Sequence, residues 1–141
     1  MNYLTVLYDN YEETGSVLSI SKTKRDFIPL VRKDVIETSP IGSDDTFVML
    51  LKTDTPLSFF KQRKSEDDED YERRLYEYFS ELTEEDGVIL DWTTYDYYED
   101  VINFYMDETN CDEDFDEVRD LFFDDDDLFG EWLEKWLKTI L

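Results

Sequence analysis

The sequence predicts an α+β fold, with a small antiparallel sheet in the N-terminal half followed by an acidic helical C-terminal half. Three observations carry that expectation. Apolar residues alternate, or run in short blocks, as far as Lys52, and from Tyr71 onward they recur at the 3.6-residue period of helices. Turn residues punctuate the first stretch at Asp9 to Gly15 and at Ser39-Pro40-Ile41-Gly42. Strands come first and helices later, the order of an α+β domain.

Asn2 to Tyr8, with Tyr3, Leu4, Val6 and Leu7, reads as a strand, and Val17 to Ile20 as its hairpin partner across the polar turn. Phe27 to Val31 contains Pro29, which places it on a sheet edge or in a loop. Val35-Ile36 reads as a further short strand, and Thr46 to Lys52 is the best strand in the chain. Pro56, behind Thr55, suits the first position of a short helix through Leu57, Phe59 and Phe60. Ser65 to Asp70 is an acidic run, either a linker or the front of a helix. Behind it Tyr71, Leu75, Tyr78/Phe79 and Leu82 keep helical spacing, and that helix is expected to end near Asp86-Gly87. Val88-Ile89-Leu90 is a strand or an apolar connector.

A second helix is expected over Thr94 to Glu108, with Tyr98, Val101/Ile102 and Tyr105 inward, and a third over Asp112 to Phe123 with Phe115, Val118, Leu121 and Phe122 inward. The last begins after Asp124-Asp125-Asp126-Asp127 and carries Phe129, Trp132, Leu133, Trp136, Leu137 and Ile140 on one face. The Trp132/Trp136 stripe reads as core. Tyr95, Tyr97 and Tyr98, set among Asp96, Glu99 and Asp100, are candidates for a protein interface, where tyrosine is enriched.

A chain of 141 residues is one domain or two small packed lobes. Its 16% aromatic content separates it from disordered acidic chains, which are poor in aromatics. No apolar run approaches the roughly 20 residues that span a bilayer, and the N-terminus lacks a basic-then-apolar signal pattern. A soluble, unprocessed, cytoplasmic protein is therefore expected. The single cysteine, Cys111, fits a reducing compartment.

The net charge of −24 is strongly localised. Residues 1–64 hold nine Lys/Arg and nine Asp/Glu, whereas residues 65–141 hold five and 29, the whole of the imbalance. The chain thus divides into a β-rich, charge-neutral part (1–64) and an acidic helical part (65–141). Such asymmetry speaks against salt adaptation, which acidifies an entire surface, and for one anionic face. Duplex DNA carries about one charge per 1.7 Å, so 24 charges match roughly 40 Å of helix, about 12 base pairs.

The absence of histidine removes the commonest general base and metal ligand. Asp112, Asp114 and Asp116 have the one-three-five spacing of an EF-hand loop, but positions six and twelve hold Glu117 and Phe123 where the loop needs Gly and Glu. No phosphate-binding glycine loop or nucleophile elbow occurs. Cys111 sits among negative charges that raise a thiol pKa, opposite to the need of a nucleophile. Neither enzyme activity nor a metal or other cofactor is expected.

The candidate binding residues are therefore the carboxylate rows. Asp67, Asp68, Glu69 and Asp70 form the acidic run, and Asp96, Asp100 and Asp107 share one stripe of the second predicted helix with Asn103, with Glu99 beside it. Glu113, Asp116, Glu117 and Asp120 do the same on the third, and Asp124, Asp125, Asp126 and Asp127 close the set. Carboxylates four residues apart rise about 6 Å along the axis, similar to successive backbone phosphates. An amphipathic helix must place something polar outside, yet solvated faces normally mix signs because like charges at i+4 destabilise. The aspartates at 124–127 serve as a helix cap and dipole partner, for which one or two suffice.

In small size, charge, carboxylate rows on helices and an aromatic core, chiefly across residues 65–141, the chain resembles the DNA-mimic inhibitors encoded by phages and plasmids, of the anti-CRISPR and anti-restriction type. The resemblance is one of physical character, without a sequence motif. It implies binding to a basic nucleic-acid-binding protein, a nuclease or effector complex, in the host cytoplasm. Direct nucleic-acid binding is not expected, because both surfaces are anionic. The closest alternative is an immunity protein that neutralises a cationic nuclease toxin; an acidic activation segment or histone-chaperone-like carrier is a third.

Overall fold

The computed structural model describes residues 1–37 and 44–141, with side chains described outside 33–37, and the predicted turn at Ser39-Pro40-Ile41-Gly42 lies outside the described residues. The fold is α+β. Strands β1 (Asn2–Asp9), β2 (Thr14–Ser21), β3 (Thr46–Thr53) and β4 (Val88–Thr93) form one fully antiparallel sheet in the order β2-β1-β3-β4. Helix α1 (Phe27–Glu37) connects β2 to β3, α2 (Asp68–Ser80) lies between β3 and β4, and α3 (Thr94–Thr109), α4 (Phe115–Asp124) and α5 (Asp126–Ile140) complete the chain.

Side chains alternate across the pleat, so β1, β3 and β4 each feed two cores. Leu4, Val6 and Tyr8 of β1 and Met49 and Leu51 of β3 meet Leu75 and Phe79 of α2 on one side of the sheet. Val48 and Leu50 of β3 face the other way, into a larger core shared by Phe27 and Val31 of α1, Tyr97, Tyr98, Val101 and Ile102 of α3, Val118 and Phe122 of α4, and Phe129, Leu133, Trp136 and Leu137 of α5. The result is three layers, with α2 alone on one face and the other helices on the opposite one. β4, although it comes from the acidic part, completes the sheet at its edge beside β3.

Two glycines permit the close approaches. A Cβ on Gly15 would sit 2.7 Å from the backbone nitrogen of Tyr76, so glycine lets α2 lie against β2. Gly87 has φ +105°, and a Cβ there would meet the Lys52 carbonyl oxygen at 2.1 Å. It ends a short 3-10 turn over Glu84–Asp86 and starts β4.

The region read as an edge segment at Phe27 to Val31 and a strand at Val35-Ile36 is helical. Pro29 is the third residue of α1, within the first turn, where a backbone N–H has no intrahelical partner to lose. Phe27 and Val31, four apart, then reach the core together. Pro56 lies just outside its element, as the cap of a 3-10 turn over Leu57–Phe60. Helix α2 stops at Ser80, short of Gly87, and α4 starts at Phe115 because Asp114 caps it, accepting from the Glu117 N–H at 2.9 Å. Tyr97 and Tyr98 are buried core residues, whereas Tyr95 is 42% exposed. Trp136 packs on Trp92 with ring centroids 4.9 Å apart, as a core residue does, while Ile140 at the end of its stripe is 40% exposed. No described helix is long and apolar enough to cross a membrane.

Candidate anionic interface

The sixteen predicted interface carboxylates divide between the two faces of the sheet. Asp67, Asp68, Glu69 and Asp70 lie at the start of α2, and the other twelve lie in the layer of α3, α4 and α5 on the opposite side. Fourteen are exposed; Glu99 and Asp100 are half-buried. Within residues 94–141, seventeen carboxylates face only three cations, Arg119, Lys135 and Lys138, for a net of −14. At duplex charge density this corresponds to about 24 Å, roughly 7 base pairs, on one side of the molecule.

Some of these carboxylates have work to do in the fold. Asp67 caps α2 by accepting from the Asp70 N–H at 2.8 Å, and Asp125 caps α5 by accepting from the Leu128 N–H at 3.1 Å. Asp68, Glu69 and Asp70 in α2, Asp96 in α3, Asp116 and Glu117 in α4, and Asp126 and Asp127 in α5 occupy first turns, where the helix dipole favours negative charge. Glu69 pairs with Arg73 at 3.7 Å, and Arg119 lies 3.4 Å from Asp116 and 3.7 Å from Asp120.

Two work against a helix dipole. Asp107 and Glu108 sit in the last turn of α3, at the negative end of its dipole, and that turn holds no basic residue. Asp124 ends α4 but directly precedes Asp125, the cap of α5, so it lies between the negative end of one dipole and the positive end of the next. On α3, Asp96, Asp100, Asn103 and Asp107 run along the side opposite Tyr97, Tyr98, Val101 and Ile102. Burial raises the Asp100 carboxyl pKa, and the neighbouring Asp96 and Glu99 charges raise it further, as repulsion along an unrelieved row requires. On α4, Asp116, Glu117, Asp120 and Asp124 likewise lie opposite Val118 and Phe122. Glu113 precedes the helix, in the connection from α3.

No protein family, curated protein or solved structure matches this chain. The acidic field is therefore read from its own geometry.

Several carboxylates outside the predicted set are internally engaged. Glu66 takes a two-pronged bond from Arg74 (Nε to Oε2 2.7 Å, Nη2 to Oε1 3.1 Å), which holds its carboxyl down at about 2. Arg74 also donates to the carbonyls of Phe59 and Lys61, pinning the segment ahead of α2. Asp91 points to the α2 side of the sheet and accepts from the Tyr8 hydroxyl, 2.7 Å from each oxygen. Its pKa is raised by burial, with the Tyr8 bond working the other way. Glu134 pairs with Arg32 at 3.3 Å. Cys111 lies half-buried, its Sγ 3.6 Å from the Glu113 carbonyl oxygen.

Of the three tyrosines expected beside the acidic rows, only Tyr95 is exposed, and the aromatic surface there is completed by Phe123, which the sequence did not single out. Tyr95 of α3 and Phe123 of α4 are 42% and 47% exposed, and they line one notch between these helices. Phe122, in step with Phe115 and Val118, is buried as its helical spacing predicts, and Phe123 beside it is turned outward.

Proposed function

We propose that this protein is an anionic nucleic-acid mimic that inhibits by occupying the basic nucleic-acid-binding surface of a host defence or DNA-binding protein, in the manner of anti-CRISPR and anti-restriction inhibitors. It acts by binding and carries out no reaction. The observation that carries this reading is the α3–α5 layer, with a net charge of −14 and acidic residues at Asp107 and Glu108, where they oppose the α3 dipole. Solubility alone calls for a net charge of about 2–8 in magnitude.

The mechanism is competition. Arg and Lys side chains that hold phosphates donate instead to the carboxylates through charge-assisted hydrogen bonds. The summed field steers encounter, so association is fast and weakens as salt rises. Because α2 lies across the sheet, one flat partner surface engages the α3–α5 layer, and the acidic start of α2 contributes mainly through the long-range field. The proposed setting is the host cytoplasm.

Charge reversal tests this. Asp107→Lys, Glu117→Lys and Asp124→Lys together are expected to slow association with the partner and weaken binding by several kcal/mol. The same change at Glu12, Glu13 and Asp54, all exposed and in the neutral part, is expected to do little. Equal losses from the two triple variants would refute a localised anionic interface.

A further inference from the structure

Resting on the reading above, we infer that the notch between α3 and α4 is the anchor of the interface and takes one leucine-sized apolar side chain from a basic segment of the partner. Tyr95, Tyr98 and Ile102 from α3 and Phe115 and Phe123 from α4 line it, around a space of about 50 Å³. That is several times the roughly 10–15 Å³ that one water needs, and it suits the branched end of an aliphatic side chain.

Exposed ion pairs each contribute little to affinity, whereas most binding energy at interfaces comes from a few side chains buried in desolvated pockets. Tyr95 and Phe123, nearly half exposed, place two aromatic rings together beside the carboxylates, where a single pocket can bury a partner side chain. Glu99 and Arg119 complete the lining with one charge of each sign, and Arg119 is drawn toward Asp116 and Asp120. The interior is thus close to neutral and apolar, while the rows around it, Asp96, Asp116, Asp120 and Asp126, are anionic. That combination fits an apolar residue flanked by Lys or Arg. A second copy of this chain would bring another −24 to the contact and is disfavoured.

Tyr98 forms the inner wall of the notch. Its ring stacks on Phe129 at 4.0 Å and is 3% exposed, yet its hydroxyl is buried with no hydrogen-bond partner among the described residues.

Three five-residue peptides test the proposal by titration of the intact protein at low salt, followed by amide chemical shifts. One has a central leucine between pairs of arginines, one a central serine between the same arginines, and one a central leucine between serines. The leucine–arginine peptide is expected to bind about tenfold more tightly than the serine–arginine peptide, a ratio that partial burial of one leucine supports. Its shifts should centre on Tyr95, Ile102 and Phe123. In Phe123→Gln and in Tyr95→Gln, both at exposed positions, that ratio should fall to about one while the serine–arginine peptide keeps its affinity. Equal binding of the two arginine peptides, or shifts centred on another face, overturns the anchor and leaves the electrostatic reading standing. Tight binding of the uncharged leucine peptide overturns the basic character of the occupant. If neither arginine peptide binds in a salt-dependent way, the mimic reading itself fails.

Discussion

Replacing Asp107 by asparagine and Glu108 by glutamine should make the protein more stable and a poorer binder at once. Both carboxylates lie in the last turn of α3 without a compensating cation, and each such charge costs about 0.3–1 kcal/mol at low ionic strength. Each amide keeps the shape and removes the charge, so the double variant gains about 0.6–2 kcal/mol. Unfolding entropy of about 2.1 cal/mol/K per residue gives roughly 0.3 kcal/mol/K for 141 residues, and the thermal midpoint should rise by about 2–7 °C. Thermal unfolding followed by circular dichroism in low-salt buffer measures this, and the gain should shrink at about 0.5 M salt, where the charges are screened. Asp125→Ala is the counterpart: it removes the cap of α5 and should lower the midpoint by about 3 °C. A midpoint that is unchanged or lowered by the Asp107/Glu108 pair would mean that these carboxylates support the fold, and their presence would no longer point to binding.

Three further outcomes follow from the same geometry. The wild-type midpoint should rise between low salt and about 0.15–0.5 M salt, since screening relieves repulsion within the α3–α5 layer; a flat response would mean the carboxylates are already neutralised. Arg74→Met should destabilise the protein, because it removes the partner of Glu66 and frees the carbonyls of Phe59 and Lys61; an unchanged midpoint in denaturant titration would contradict this. Stability should also pass through a maximum on acidification. Asp91 and Asp100 hold their protons more tightly folded than unfolded, so folding takes up protons and stability rises as pH falls from 7 toward the ordinary carboxylate range. Glu66 works in the opposite sense: its contribution is complete above its ordinary 4.5 and is lost as pH falls through about 2. The maximum is therefore expected near pH 4–5, and a steady decline in midpoint from pH 7 downward would contradict it.

Much of the fold was legible because periodicity and burial agree. Thr46 to Lys52 alternates between two cores and lies at the centre of the sheet, and the 3.6-residue stripe from Phe129 to Leu137 packs as one face of α5. The misreading at Phe27 to Ile36 came from treating Pro29 as a strand or loop marker, when a proline in a first helical turn loses nothing; the four-residue step from Phe27 to Val31 was the available signal. Charge counting located the acidic part but not its division. That Asp67 to Asp70 lies across the sheet from Asp96 to Asp127 depends on which core Leu75 and Phe79 enter, a tertiary fact that local pattern does not encode. The caps were partly legible: Asp125 was within the predicted capping run, whereas Asp114 was read only as part of a failed calcium loop.

The central claim is that the α3–α5 layer and nucleic acid compete for one basic surface, and a three-component binding measurement tests it most directly. A partner retained by the wild-type chain and released by salt is titrated with its own labelled duplex in the presence of increasing inhibitor. The account predicts mutually exclusive binding: duplex is displaced completely, its apparent affinity falls in proportion to inhibitor concentration, and the Asp107/Glu117/Asp124→Lys variant displaces it poorly. A stable complex of partner, duplex and this protein, each bound with undiminished affinity, would contradict it and place the contact away from the nucleic-acid groove.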